Sequence, residues 1–209
     1  MLVKVFGSAV FGVEATTITV EVNTEKGIGY HLVGLPDSAI KESSFRIAAA
    51  LKNNSYQFPG KKIIVNMAPA DLRKEGSAYD LTIAVGILAA SSQITSKEIE
   101  NYVIMGELSL DGNLQPIKGA LSIAIKAKEE GFKGLILPFQ NVKEAAIVEG
   151  LDVYGVENVV QVIHFFEGNS NLVPTIIDTK EEFNKTLDFP EHDFSDVKGQ
   201  EGIKRCMEI

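Results

Sequence analysis

The run L-T-I-A-V-G-I-L-A-A, from Leu81 to Ala90, constrains the fold more than any other stretch of the chain. At helical spacing it is apolar almost all round, so a helix here must be covered on most sides and cannot lie on a surface. It is also too short to cross a membrane. Just before it the chain reads V-N-M-A-P-A-D-L-R-K-E-G-S-A-Y-D-L, from Val65 to Leu81. Ile63-Ile64-Val65 predicts a buried strand that hands over to the core helix through a loop holding Pro69 and Gly76. Such strand-to-helix loops present N–H groups and a favourable dipole to an anion or oxyanion, so this loop is the first candidate site.

The remaining elements can be set around that helix. Residues 2–11 and 16–23 predict two strands turning at Gly12-Val13-Glu14, and Tyr30–Val33 a third after Glu25-Lys26-Gly27. Short turns between successive strands predict a meander at this end. Asp37 or Ser38 can cap a helix running to about Asn53, with Ile40, Ile47, Ala48 and Leu51 as its apolar stripe. Beyond the core helix come a short helix at 95–101, a strand at 103–106 and a hairpin turning at Asp111-Gly112. A helix at 120–130, a strand at 134–138, a short helix at 141–149, a strand at 153–156 and a helix capped by Asn158 follow. Strands first, then strands alternating with helices, predict an α/β (α+β) fold with a mixed sheet and packed helices.

From 169 to 192 the chain turns polar, with Pro174 and Pro190, and reads as a linker. A helical pattern returns from Glu201, with Ile203, Cys206 and Met207 on one face. It runs to Ile209 without a cap, as expected of a piece of a longer chain.

Composition narrows the function. With 209 residues, 45% of them hydrophobic, the chain can bury one good core. A net charge of −8 argues against a dedicated nucleic-acid module, which needs a basic face. Cys206 is the only cysteine, which excludes an internal disulfide and a cysteine zinc site and fits a reducing, cytoplasmic setting. His31, His164 and His192 lack ligand spacing, as do Glu107, Asp111 and Asp152, so no metal site is expected. The N-terminus alternates and is broken by Gly7 and Gly12, so it reads as a strand and not as a signal or membrane segment.

Three readings compete in the loop. Ser77 is a nucleophile only if a base such as Lys74 stands beside it; a serine at a helix start is more often a cap. Arg73 and Lys74 form a charged rim for a partner or DNA, unless Asp71, Glu75 and Asp80 neutralise them in a solvated loop.

At this loop the sequence resembles a known family. The segments G-Y-H-L-V-G-L-P-D-S-A-I-K-E-S, I-I-V-N-M-A-P-A-D-L-R-K-E-G-S-A-Y-D-L-T-I-A, M-G-E-L-S-L-D-G-N-L-Q-P-I-K-G-A-L and G-L-I-L-P carry the likeness across residues 1–166. They resemble the N-terminal domain of the ComM/YifB family, bacterial magnesium-chelatase-like AAA+ ATPases. The resemblance implies a Lon-like N-terminal domain at 1–168, a linker at 169–192 and the start of an AAA+ module at 193–209. In D-F-S-D-V-K-G-Q-E-G-I-K-R, Val197, Gly199 and Gln200 would lie beside the adenine of ATP. ATP and Mg would bind the full-length protein, and no cofactor is expected on this segment alone.

The Lon likeness also implies a site to compare. Lon's G-P-S-A-G falls on Gly76-Ser77-Ala78-Tyr79-Asp80, which puts its nucleophile at Ala78. Its lysine, in G-G-x-x-x-K, falls on Ile123. An alanine and an isoleucine supply neither nucleophile nor base, so the dyad is expected to be vacated, with its oxyanion scaffold kept. Lys118 stays near the loop. The expectation is a non-proteolytic head of a hexameric ATPase acting on DNA in competence and branch migration. Its partners would be its own AAA+ module, neighbouring subunits and, through the full-length protein, DNA, with no membrane. The alternatives are an active Ser–Lys peptidase using Ser77 with Lys118 or Lys74, and a magnesium-chelatase ATPase subunit.

Overall fold

The computed structural model describes residues 1–178 and 196–207, and divides the chain into units Met1–Ile176 and Ile177–Ile209. The first unit is built on strands β1 (Leu2–Phe11), β2 (Glu14–Glu25), β3 (Gly29–Val33), β4 (Lys62–Ala68) and β5 (Tyr102–Ile104). The short ribbon β6 (Glu107–Leu108) and β7 (Leu114–Gln115) precedes β8 (Gly134–Pro138) and β9 (Asp152–Val156). Seven of these form one sheet in the order β3-β4-β2-β1-β5-β8-β9. Adjacent strands are parallel except where β2 meets β1 and β4, so the sheet is mixed, as the sequence predicts.

The expected meander stops after one hairpin. β1 and β2 pair from Leu2↔Asn23 to Phe11↔Glu14, but β4 inserts between β2 and β3. The reason is apolar content. β4 brings Ile63, Val65 and Met67, all fully buried, beside Val20 and Val22. β3 leaves His31 and Val33 exposed, a pattern that suits an edge.

Helices α1 (Ser38–Lys41) and α2 (Ser43–Asn53) replace the single expected helix, with a break at Glu42. Asp37 caps α1 as predicted, its Oδ1 accepting from Ile40 N–H at 2.9 Å. The core helix is α3 (Asp80–Ala90), and every one of its residues is buried. It lies against β1 and β2 so closely that a Cβ on Gly86 would stand 2.6 Å from Val22 Cγ2. Its polar groups are met inside the core: Thr82 Oγ1 donates to Ile104 O, and Thr24 Oγ1 donates to Ala90 O.

The opposite face of β1 belongs to α4 (Ala120–Glu129), where Gly119, at φ +75°, comes close to Val10 and Phe132 meets Phe6 edge-on. After β8, α5 covers only Val142–Ala145, shorter than the expected 141–149, and the expected helix at 95–101 is a single turn, Ile99–Asn101. Asn158 caps α6 (Val159–Phe166) through Gln161 N–H at 3.1 Å. The compact unit continues past the expected boundary at 168 because Leu172 packs on the core and Thr175 N–H donates to Val153 O. Much of the expected linker, 179–192, lies outside the described residues. In the second unit, α7 (Glu201–Met207) buries none of its residues.

Filling the gap at Gly86 overpacks the helix–sheet contact. Gly86→Val should lower unfolding free energy by about 2 kcal/mol or more, read from urea denaturation with an unchanged m-value.

Candidate functional site

The loop joining β4 to α3 is pinned by backbone and side-chain bonds before any ligand is considered. Lys74 is fully buried, and its Nζ donates to Gly34 O at 3.0 Å and to Pro69 O. Its own N–H donates to Leu35 O, and its C=O accepts from Asp37 N–H. Asp37 adds a further tie, its Oδ2 accepting from Gly76 N–H at 2.9 Å. Burial pushes the Lys74 ammonium below its ordinary range, with Asp71 opposing the shift. This corrects the expected charged rim. Lys74 serves the inside of the loop, where its ammonium replaces backbone donors, while Arg73 stays on the surface paired with Glu75 at 3.1 Å.

Behind the loop, Asp80 is buried at the first turn of α3 and bonded twice by Arg46, Nε to Oδ2 at 2.6 Å and Nη2 to Oδ1 at 2.9 Å. Leu108 N–H also donates to Oδ2, and Arg46 Nη2 to Ala39 O. Burial raises the Asp80 carboxyl above its ordinary value; Arg46 and the Leu108 N–H hold it back. The dipole argument in the sequence found this carboxylate but not its partner, which comes from 34 positions earlier in the chain.

In front of the loop is a cleft of about 430 Å³. Its walls are the end of β1, residues 76–79, Glu107, the segment Pro116–Lys118 and Ile123 at the head of α4. Ala78 and Ile123, the two positions where the Lon resemblance implies a dyad, line this one cavity together with Ser77, Arg73 and Lys118. The hydroxyl of Ser77 donates to Glu107 Oε2, a residue whose link to the loop the sequence did not disclose. With that bond the serine proton is directed to a carboxylate and not to a lysine amine. Two of the N–H groups that open α3 are bonded within the protein: Asp80 N–H donates to Ser77 O and Leu81 N–H to Gly106 O.

Asn141 fixes the far wall. Its Oδ1 accepts from Ile117 N–H and its Nδ2 donates to Ile117 O, both at 2.8 Å. A buried asparagine serving as a backbone partner leaves no sequence signature. Glu107, Asp111 and Asp152 stay apart, and among the described residues no group of three potential ligands is placed to hold a metal. No described helix is long and apolar enough to cross a membrane. Val197, Gly199 and Gln200 lie in the second unit and are exposed; Gly199 and Gln200, with φ of 72° and 67°, lead directly into α7.

Comparison with known proteins gives this geometry a context. Residues 20–141 match the protein family described as subunit ChlI of Mg-chelatase. The chain is 41% identical to the uncharacterized protein YifB of Escherichia coli over 205 residues, 96% of this chain and 39% of that protein. It is 36% identical to the competence protein ComM of Haemophilus influenzae over 209 residues, 100% of this chain and 41% of that protein. An archaeal Lon protease of Methanocaldococcus jannaschii matches at 24% over 175 residues, 76% of this chain and 26% of the protease, consistent with the Lon-type reading of the fold. The chain thus spans about two fifths of the length of YifB and ComM.

Removing one partner of the Arg46–Asp80 pair tests its weight. Arg46→Ala should cost about 3 kcal/mol or more at pH 7, because the buried carboxylate loses its counter-charge. An acid whose folded pKa exceeds its unfolded one binds more protons when folded, so stability falls as pH rises between the two. The deficit of the variant should therefore shrink as pH is lowered through the raised Asp80 value, as measured by urea melts from pH 7 downward.

Proposed function

Because the chain belongs to the ChlI-type magnesium-chelatase family that takes in YifB and ComM, we propose that it is the non-proteolytic head of an AAA+ motor acting on DNA. In this reading the Lon-like head, expected at 1–168, runs on to 176, a linker follows to 192, and 193–209 begin the ATPase module, of which 193–195 and 208–209 lie outside the described residues. Val197, Gly199 and Gln200 would flank the adenine, and ATP and Mg would be held farther along the parent protein. Six parent subunits would form a ring in the cytoplasm and drive branch migration as incoming DNA recombines.

The observation that carries the proposal is the match to a competence protein along the whole of this chain. The cleft supports its non-proteolytic part. Ala78 and Ile123, where the Lon resemblance implies nucleophile and base, line it, Ser77 is bonded to Glu107, and Lys74 is buried on backbone carbonyls. The net charge of −8 favours DNA contact through the rest of the parent protein, with this head shaping the ring or receiving a partner. A second reading, a chelatase subunit inserting magnesium into a porphyrin, is favoured by the name of the matching family.

The parent protein decides between them. ATP hydrolysis should rise several-fold with forked DNA and fall with added salt; stimulation by a chelatase partner and porphyrin, without any response to DNA, would establish the second reading. This chain should not degrade unfolded casein, and Ser77→Ala should behave like the unaltered protein. Casein cleavage lost in that variant would restore an active peptidase.

A further inference from the structure

The insertion of β4 has a consequence at the far end of the sheet. β2 ends with Glu25 opposite Lys62, and β3 begins with Gly29 opposite the same residue, so Lys26-Gly27-Ile28 crosses the entry to β4. Gly60 and Lys61 lead into β4 at that point. Two Lys–Gly pairs from separate parts of the chain thus line one depression of about 370 Å³, together with Thr24 and Glu25. A hairpin turn would bond across itself, but this crossing does not. Among the described residues no hydrogen bond is made by the N–H of Lys26, Gly27, Gly60 or Lys61. The backbone is also open to approach: a Cβ on Gly60 would meet nothing within 4 Å, and one on Gly27 only the Lys62 side chain. The charge here departs from the −8 of the whole chain. Glu25, the acid on the lining, is taken by Lys62 at 2.7 Å. Lys26 and Lys61 are exposed and have no ion pair among the described residues.

We propose that this corner seats a phosphate group, held by the ammonium groups of Lys26 and Lys61 and by N–H groups of the two loops. Unbonded N–H groups in loop backbone make concavities that favour anions, and two cations beside them match the charge of a phosphate. A phosphate also has oxygens enough to meet both ammonium groups and a backbone donor together, which the two of a carboxylate do not. The neighbouring Ile28 is 92% exposed, so the group can arrive as part of a larger molecule. Two sources offer this chemistry, a small free phosphate and the backbone of a nucleic acid. The second rests on the DNA-acting reading above, and its contact is blind to base sequence, because phosphate oxygens carry none. The acidic remainder of the unit repels such a strand and confines it to this corner.

The test is an amide NMR titration of the isotope-labelled chain Met1–Ile209, once with inorganic phosphate and once with a short DNA duplex. Saturable shifts at Gly27, Gly60 and Lys61 are expected. Their appearance with phosphate alone assigns the seat to small phosphates and removes the nucleic acid as its guest. Shifts with neither ligand, or duplex binding that spares these three amides, overturn the seat. If the duplex binds there, log affinity should fall against log salt with a slope of about −2, one unit for each lysine. Lys26→Ala combined with Lys61→Ala, both exposed and outside the strands, should weaken binding about tenfold or more and remove that slope while the melting temperature stays unchanged. Undiminished binding by this variant would also overturn the seat. The DNA-acting reading fails separately, if forked DNA leaves the ATPase of the parent protein unchanged.

Discussion

A carboxylate buried at the head of the core helix holds the rest of the first unit in place. Asp80 takes two bonds from Arg46 on α2 and one from the backbone of β6, so three elements far apart in sequence meet at one charge. A buried ion pair adds little net stability over apolar packing, but it tolerates only one arrangement of its partners. Here that arrangement fixes where α3 begins. The start of α3 sets the path of residues 76–79, and those residues form one wall of the cleft.

The chemistry of the cleft follows from that fixed path. A loop pinned by Lys74, Asp37 and Asp80 has little freedom to turn Ser77 toward a new partner. Glu107 holds the serine, and the N–H groups of Asp80 and Leu81 are bonded to Ser77 O and Gly106 O. What the cavity still offers is backbone at its β1 edge and charge at its rim.

The sequence disclosed what depends on neighbours along the chain. The all-round apolar run became a helix with no exposed residue, the caps at Asp37 and Asn158 formed as their side chains predict, and Asp111-Gly112 turned a hairpin with Gly112 at φ 89°. It was silent where partners come from afar. Arg46 gave no sign of Asp80, Asn141 none of Ile117, and Ser77 none of Glu107. Lys74 misled most, because a lysine in a charged loop reads as surface, and only the carbonyls of Gly34 and Pro69 explain its burial. The Ala78 and Ile123 positions were legible through the family resemblance alone, and the structure puts both in one cavity.

The insertion of β4 between β2 and β3 has a kinetic side. β3 runs antiparallel to β2 and follows it after a turn of a few residues, so the nascent chain can close a β2–β3 hairpin within its first 33 residues. The native sheet requires that edge of β2 to wait for residues 62–68, and local pairing is faster than long-range pairing. The hairpin that short-range logic favours thus competes with the native pairing of β2 with β4.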